Sequence, residues 1–132
     1  MATIKVEIHH TDARGNFART LYPAKVKFRG HVFVVPAGFE FDGASIPRFF
    51  RRLIGSPLDP EIARAGRDHD FIYRTQLQGW TRKDADLMFL CWLIEDGLEP
   101  WRAQLAYRGV RLFGWIAWRK NRQILEMRRG AE

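Results

Sequence analysis

A change of periodicity near Asp42 constrains the fold of this chain more than any other feature. Before it, Ile4, Val6 and Ile8 alternate with Lys5, Glu7 and His9, the pattern of a half-buried strand. Val26 and Phe28, a turn at Arg29-Gly30, and then Val32 to Val35 predict a β-hairpin. Phe39 and Phe41 against Glu40 and Asp42 predict one more short strand after Pro36-Ala37-Gly38. Beyond Gly43-Ala44-Ser45-Ile46-Pro47, which is loop chemistry, strands give way to helices.

The helix starts are well marked. Asp59-Pro60-Glu61 supplies an N-cap, a proline for the first turn and an acidic residue at the positive end, so a helix should run to about Arg74. Thr81-Arg82-Lys83-Asp84 resembles a capping box and opens a second helix that ends before Gly97. Glu99-Pro100 opens a third, to about Arg119 or as far as Met127, with Leu105, Leu112 and Ile116 expected inward and Arg108, Arg111 and Arg119 outward. The expected fold is α+β: an N-terminal antiparallel β-sheet followed by three helices. With 132 residues the chain reads as one domain, β-rich over 1–42 and helical over 58–127.

Composition narrows the class. An apolar content of 46% belongs to a globular chain rather than a disordered one. The single cysteine, Cys91, sits in an apolar helical run, reads as a small buried hydrophobe and cannot form an internal disulfide. The N-terminus has no signal-peptide core, and the best apolar segment, Leu112 to Trp118, is far shorter than the ~20 residues a membrane span requires. The expectation is a chain that works in solution or as a subunit of something larger. A net charge of +7 is concentrated at Arg48, Arg51 and Arg52 and along the last helix, which suits an anionic surface or an acidic partner. Trp101, Trp115 and Trp118 with Arg102, Arg108 and Arg119 make an aromatic-basic surface of the kind found at interfaces and membrane boundaries. Nucleic acid would rest on charge alone, since no recognition motif is visible.

The chemistry concentrates in Arg67-Asp68-His69-Asp70-Phe71-Ile72-Tyr73. On a helix Tyr73 lies one turn from His69 on the same face, while Asp70 projects about 100° away. His69 shares its side with Ile62, Ala65 and Ile72, so it is either a satisfied core histidine or an oriented base. Asp86 falls on a stripe with Phe89, Leu90 and Leu93, where a carboxylate needs donors. His69 and Tyr73 on the antiparallel neighbouring helix would supply them. Asp84, at the third helical position, reads equally as a cap. Such a pair would fix the imidazole tautomer and leave the other nitrogen to take a proton from water. Asp70 could pair with Arg67 or Arg74, or join Asp42 and the Gly43 carbonyl around a cation, for which oxygen-only ligands favour Ca²⁺ over zinc. Ser45 and Ser56 lack a strand-turn-helix elbow, which argues against a serine hydrolase.

These residues carry two resemblances. Phe39 to Arg48, His69-Asp70-x-x-Tyr73-Arg74, Arg82-x-x-Ala85-Asp86 and Tyr107-x-x-Val110-Arg111-x-Phe113-Gly114 resemble, over roughly residues 32 to 118, the family indexed as domain of unknown function 1353, common in tailed phages and prophages. More distantly, Asp68-His69-Asp70-Phe71-Ile72-Tyr73-Arg74 and Asp42-Gly43-Ala44-Ser45-Ile46-Pro47 are similar to the catalytic helix and calcium loop of the bacterial and fungal secreted phospholipases A2. That resemblance implies a phospholipase A2-like three-helix unit with His69 as base. Asp42, Asp70 and the Gly43 carbonyl would be calcium ligands, and Asp86 or Asp84 with Tyr73 the orienting network. The chain departs from those enzymes in lacking their disulfides, with Ala44 in the loop and no cysteine nearby.

The expected function is therefore a phage-encoded, calcium-dependent lipid ester hydrolase. The alternative is a non-catalytic virion, tail or assembly protein on the same scaffold. Expected partners are an anionic lipid surface or other phage structural proteins, in the host cytoplasm or the virion.

Overall fold

The computed structural model describes residues 4–13, 15–42 and 48–131. Five strands lead: β1 (Val6–Thr11), β2 (Gly15–Thr20), β3 (Ala24–Phe28), β4 (His31–Val35) and β5 (Glu40–Phe41). Four helices follow: α1 (Arg48–Ile54), α2 (Pro60–Thr75), α3 (Arg82–Glu95) and α4 (Pro100–Gly130). The architecture is α+β with antiparallel sheet first and helices after. The N-terminal part holds two sheets rather than one, in the order β1-β2-β5 and β3-β4. β2 and α1 are additions to the sequence reading. In β2 the consecutive residues Phe17 and Ala18 are both buried, which breaks the alternation by which a strand is recognised.

The β3-β4 hairpin turns through Arg29 and Gly30, whose φ angles of 47° and 83° are both positive. A two-residue turn of that handedness matches the twist of its strands, and glycine tolerates it without strain. The register places Ala24 opposite Val35 and Phe28 opposite His31. Val26, Phe28, Phe33 and Val35 thus share one face, which packs against Phe71, Ile72, Trp80 and Met88 of the helical part. Phe33 stacks on Phe71 with centroids 5.6 Å apart. Buried Thr20 joins the two sheets: its hydroxyl donates to the Pro36 carbonyl at 2.7 Å and accepts from the Phe39 amide at 3.0 Å.

α2 begins at Pro60, but the Asp59 side chain does not cap it; the carboxylate turns back to accept from the Ser56 amide at 3.0 Å. α2 ends at Gln76, which adopts the left-handed conformation and donates its side-chain amide to the Trp118 carbonyl of α4 at 2.7 Å. Thr81 and Asp84 form the reciprocal capping box of α3. The short connection between α2 and α3 makes them antiparallel neighbours.

α4 packs differently from the expectation. Its buried positions are Ala103, Ala106, Gly109, Val110 and Gly114, a face of small residues that lets the helix lie close to α2 and α3. Leu112 and Ile116 are 64% and 56% exposed, because they stand about 200° and 240° around the helix from Val110. Leu105 is half-buried against the core, Arg108 and Arg119 are exposed, and Arg111 turns inward. Ile54, Ile62, Ala65, Phe89, Leu93 and Val110 fill the space between the helices. Among the described residues no helix is long and apolar enough to cross a membrane.

Candidate active site

Asp86 is the point where three helices meet. α2 places His69 and Tyr73 one turn apart, with their rings 4.1 Å centre to centre. His69 Nε2 lies 2.7 Å from Asp86 Oδ1, and the Tyr73 hydroxyl donates to the same oxygen at 2.6 Å. The other carboxylate oxygen, Oδ2, accepts from Arg82 at 3.3 Å and from Arg111 of α4 at 2.7 Å. His69 and Asp86 are fully buried, and Tyr73 is 1% exposed. A carboxylate at that depth is tolerable only because four donors converge on it.

The electrostatics follow from those contacts. Burial alone would push the Asp86 carboxyl up. Hydrogen bonding and charge from His69, with hydrogen bonds from Tyr73 and Arg111, overcome it and hold the group below the ordinary carboxylate range. Burial and the adjacent Asp86 charge push the Tyr73 hydroxyl well above its usual value, so it stays neutral and donates. An ionised carboxylate only accepts, so Nε2 of His69 carries the proton in its bond to Asp86. Phe89 closes one side of the ring at 4.8 Å.

Arg82 does more than balance charge. It also donates to the Val110 carbonyl at 2.9 Å and the Arg111 carbonyl at 3.2 Å, joining the start of α3 to the middle of α4. Gly114 makes this possible, since a side chain there would meet the Tyr73 hydroxyl and approach Arg82 to 3.2 Å. The sequence reading missed both arginines. Arg82 was detectable as the residue one helical turn before Asp86, while Arg111 was detectable only from the small-residue face of α4.

The remaining candidates separate. Asp84 is the capping residue of α3: Thr81 donates its amide to Asp84 Oδ2 at 3.3 Å, and no contact joins it to His69. Asp70 is buried, with Arg74 at 3.9 Å. Arg74 also donates to the Glu40 carbonyl of β5 and lies over the Phe39 ring at 4.9 Å. One guanidinium therefore touches Asp70 and the strand that ends next to half-buried Asp42. Gly43, the remaining candidate for a metal, lies outside the described residues. Among the described residues no cluster of three or more His, Cys, Asp or Glu side chains is arranged to hold a metal ion.

Residues 18–110 match a family described as a protein of unknown function (DUF1353), a span that contains His69, Tyr73, Arg82 and Asp86. Among curated proteins, the uncharacterized protein y4jT of Sinorhizobium fredii (strain NBRC 101917 / NGR234) is 32% identical over 80 residues, 61% of this chain and 23% of that protein. The uncharacterized protein y4iH of the same strain is 33% identical over 73 residues, 55% of this chain and 30% of its own length. The match thus spans less than a third of either relative. No solved structure matches the chain.

Proposed function

Within the DUF1353 family, to which this chain belongs, we propose that it is a phage-encoded, phospholipase A2-like hydrolase of lipid esters, with His69 as general base. The observation that carries the reading is the bond from His69 Nε2 to Asp86 at 2.7 Å, reinforced by Tyr73 at 2.6 Å. It fixes the tautomer in which Nδ1 can accept a proton. His69 would take a proton from a water molecule as its oxygen attacks the ester carbonyl carbon, and return it to the departing alkoxide as the acyl–oxygen bond breaks. Asp86 stabilises the imidazolium formed between these steps, and neutral Tyr73 holds Asp86 in place. The similarity of Asp68 to Arg74 to the catalytic helix of secreted phospholipases A2 supports the same assignment.

The resemblance implies a hard cation held by oxygen donors, the Asp42 and Asp70 carboxylates with the Gly43 carbonyl; in support, Arg74 links Asp70 to β5, the strand that ends next to Asp42. Calcium held there would polarise the ester carbonyl. The basic, aromatic α4 suits attraction to an anionic lipid surface, in the virion or the host cytoplasm.

A second reading is a virion or assembly protein in which this network is purely structural. It draws on the complete burial of His69 and on the two arginines that share Asp86. Fatty-acid release from anionic vesicles, with and without calcium, separates the two. The hydrolase reading expects calcium-dependent release that falls at least about 10²-fold in His69→Ala with the fold retained. Wild-type protein without any release, but incorporated into virions, would establish the structural role instead.

A further inference from the structure

On the side of α2 away from the Asp86 network, a cavity of about 320 Å³ opens between α2, α3 and the β3 strand. Its lining includes Lys25, Lys27, Arg64, Arg67, Asp68 and Trp92. Arg67 stands about 200° around α2 from His69, so this cavity is separate from the proposed active site and does not depend on it.

Arg67 is the informative residue. It is only 7% exposed, yet its one hydrogen bond among the described residues runs from Nε to Asp68 Oδ1 at 2.7 Å. The two terminal nitrogens, with four N–H donors between them, have no protein acceptor there. These nitrogens are not sealed inside protein but open onto the cavity, where an anion would replace water as their acceptor. Asp68 does not fill that need, because its second oxygen accepts from the Trp92 indole at 2.9 Å. The bond at Nε, itself braced by Trp92, leaves the guanidinium fork held in place.

Apart from Asp68, the charged residues of the lining are basic. Arg64 is committed to Asp96 by two hydrogen bonds of 2.9 and 3.0 Å. Lys25 and Lys27 are exposed and have no partner among the described residues. Two ammonium groups and a pre-positioned guanidinium therefore border one small space; the ion pair of Arg67 with Asp68 cancels in charge, and the two lysines leave a positive excess. A fork of parallel N–H donors fits two oxygens of one anion, and the lysines favour a third oxygen and a second negative charge. A carboxylate provides neither. We propose that this cavity binds a phosphate group, as free phosphate or as the phosphomonoester of a lipid headgroup.

The test is calorimetric titration of the full chain with inorganic phosphate at fixed ionic strength, alongside sedimentation with phosphatidylcholine vesicles carrying phosphatidic acid. Arg67→Lys, which keeps the charge and loses the fork, should weaken phosphate binding about tenfold. The Lys25→Gln/Lys27→Gln pair, at exposed positions, should weaken it about fivefold with the melting temperature unchanged. That pair carries the test if Arg67→Lys fails to fold. Phosphate binding without vesicle binding identifies a soluble phosphate as the ligand. Vesicle binding that falls by the same factor in the lysine pair identifies the lipid headgroup. Absence of saturable binding to either probe, or equal affinity in wild type and the lysine pair, would overturn the proposal.

Discussion

Gly114 of α4 faces the Tyr73 hydroxyl so closely that one added methyl group would overlap the oxygen. Alanine normally stabilises a helix interior relative to glycine by about 0.5–1 kcal/mol. At Gly114 the sign should reverse, with Gly114→Ala costing about 1–3 kcal/mol because it displaces Tyr73 from Asp86 and crowds Arg82. Gly66 of α2 is the control, since a methyl group there meets nothing within 4 Å, and Gly66→Ala should stabilise by about 0.5–1 kcal/mol. Urea denaturation of the two variants checks the contrast.

Asp86 should leave a signature in acid. Its carboxyl is held below the ordinary range in the folded protein, so it binds its proton less readily there than in the unfolded chain. The stability this contributes is complete above about pH 4, near the unfolded value, and is lost as pH falls through the lowered folded value. Asp86→Asn should cost about 3 kcal/mol at pH 7, and the gap from wild type should narrow only below about pH 4. Denaturation curves between pH 2 and 7 measure that gap directly.

Tyr73→Phe removes one of the two donors on Asp86 Oδ1 without changing the shape of the core. The loss should be about 1–2 kcal/mol in stability, read by urea denaturation. Hydrolysis, where it is present, should fall far less than in His69→Ala, because Tyr73 only positions the group that orients the base.

The two faces of α4 should respond in opposite ways to substitution. Leu112→Ser/Ile116→Ser should shift stability by less than about 0.5 kcal/mol, since both side chains are more than half exposed. Ala106→Leu, on the face against the core, should cost about 1–3 kcal/mol by overpacking. Similar losses in both variants would show that the bulky residues are packed after all.

That helix is where sequence and structure part company. The strand at Val6–Thr11, the Arg29-Gly30 turn and the helix starts at Pro60, Thr81 and Pro100 were legible, because each rests on local backbone chemistry, although Ile8, expected inward, is exposed. The meeting of His69, Tyr73 and Asp86 was legible too, from one helical turn and one short connection. The orientation of α4 was not, because hydrophobicity favours Leu112 and Ile116 for the interior. Close approach of helix axes selects Ala103, Ala106 and Gly114 instead. The error carried Arg111 to the outside, when its guanidinium in fact completes the Asp86 site. α1, which spans only seven residues, announced itself merely as a cluster of arginines.

Among the described residues, the last hydrogen bond from the body to α4 runs from Gln76 to the Trp118 carbonyl, with Trp118 also edge-on to Tyr73 at 5.1 Å. From Arg119 to Gly130 the helix continues for about 18 Å. That stretch carries Arg119, Lys120, Arg122, Arg128 and Arg129 against the single acid Glu126. A segment of twelve residues would barely hold a helix alone, but here nucleation has already been accomplished by the packed turns before it. The helix therefore ends in a charged lever whose stability is borrowed from one end. Its amide protons should exchange with solvent fastest at Gly130 and progressively slower toward Trp118, without the rest of the protein opening.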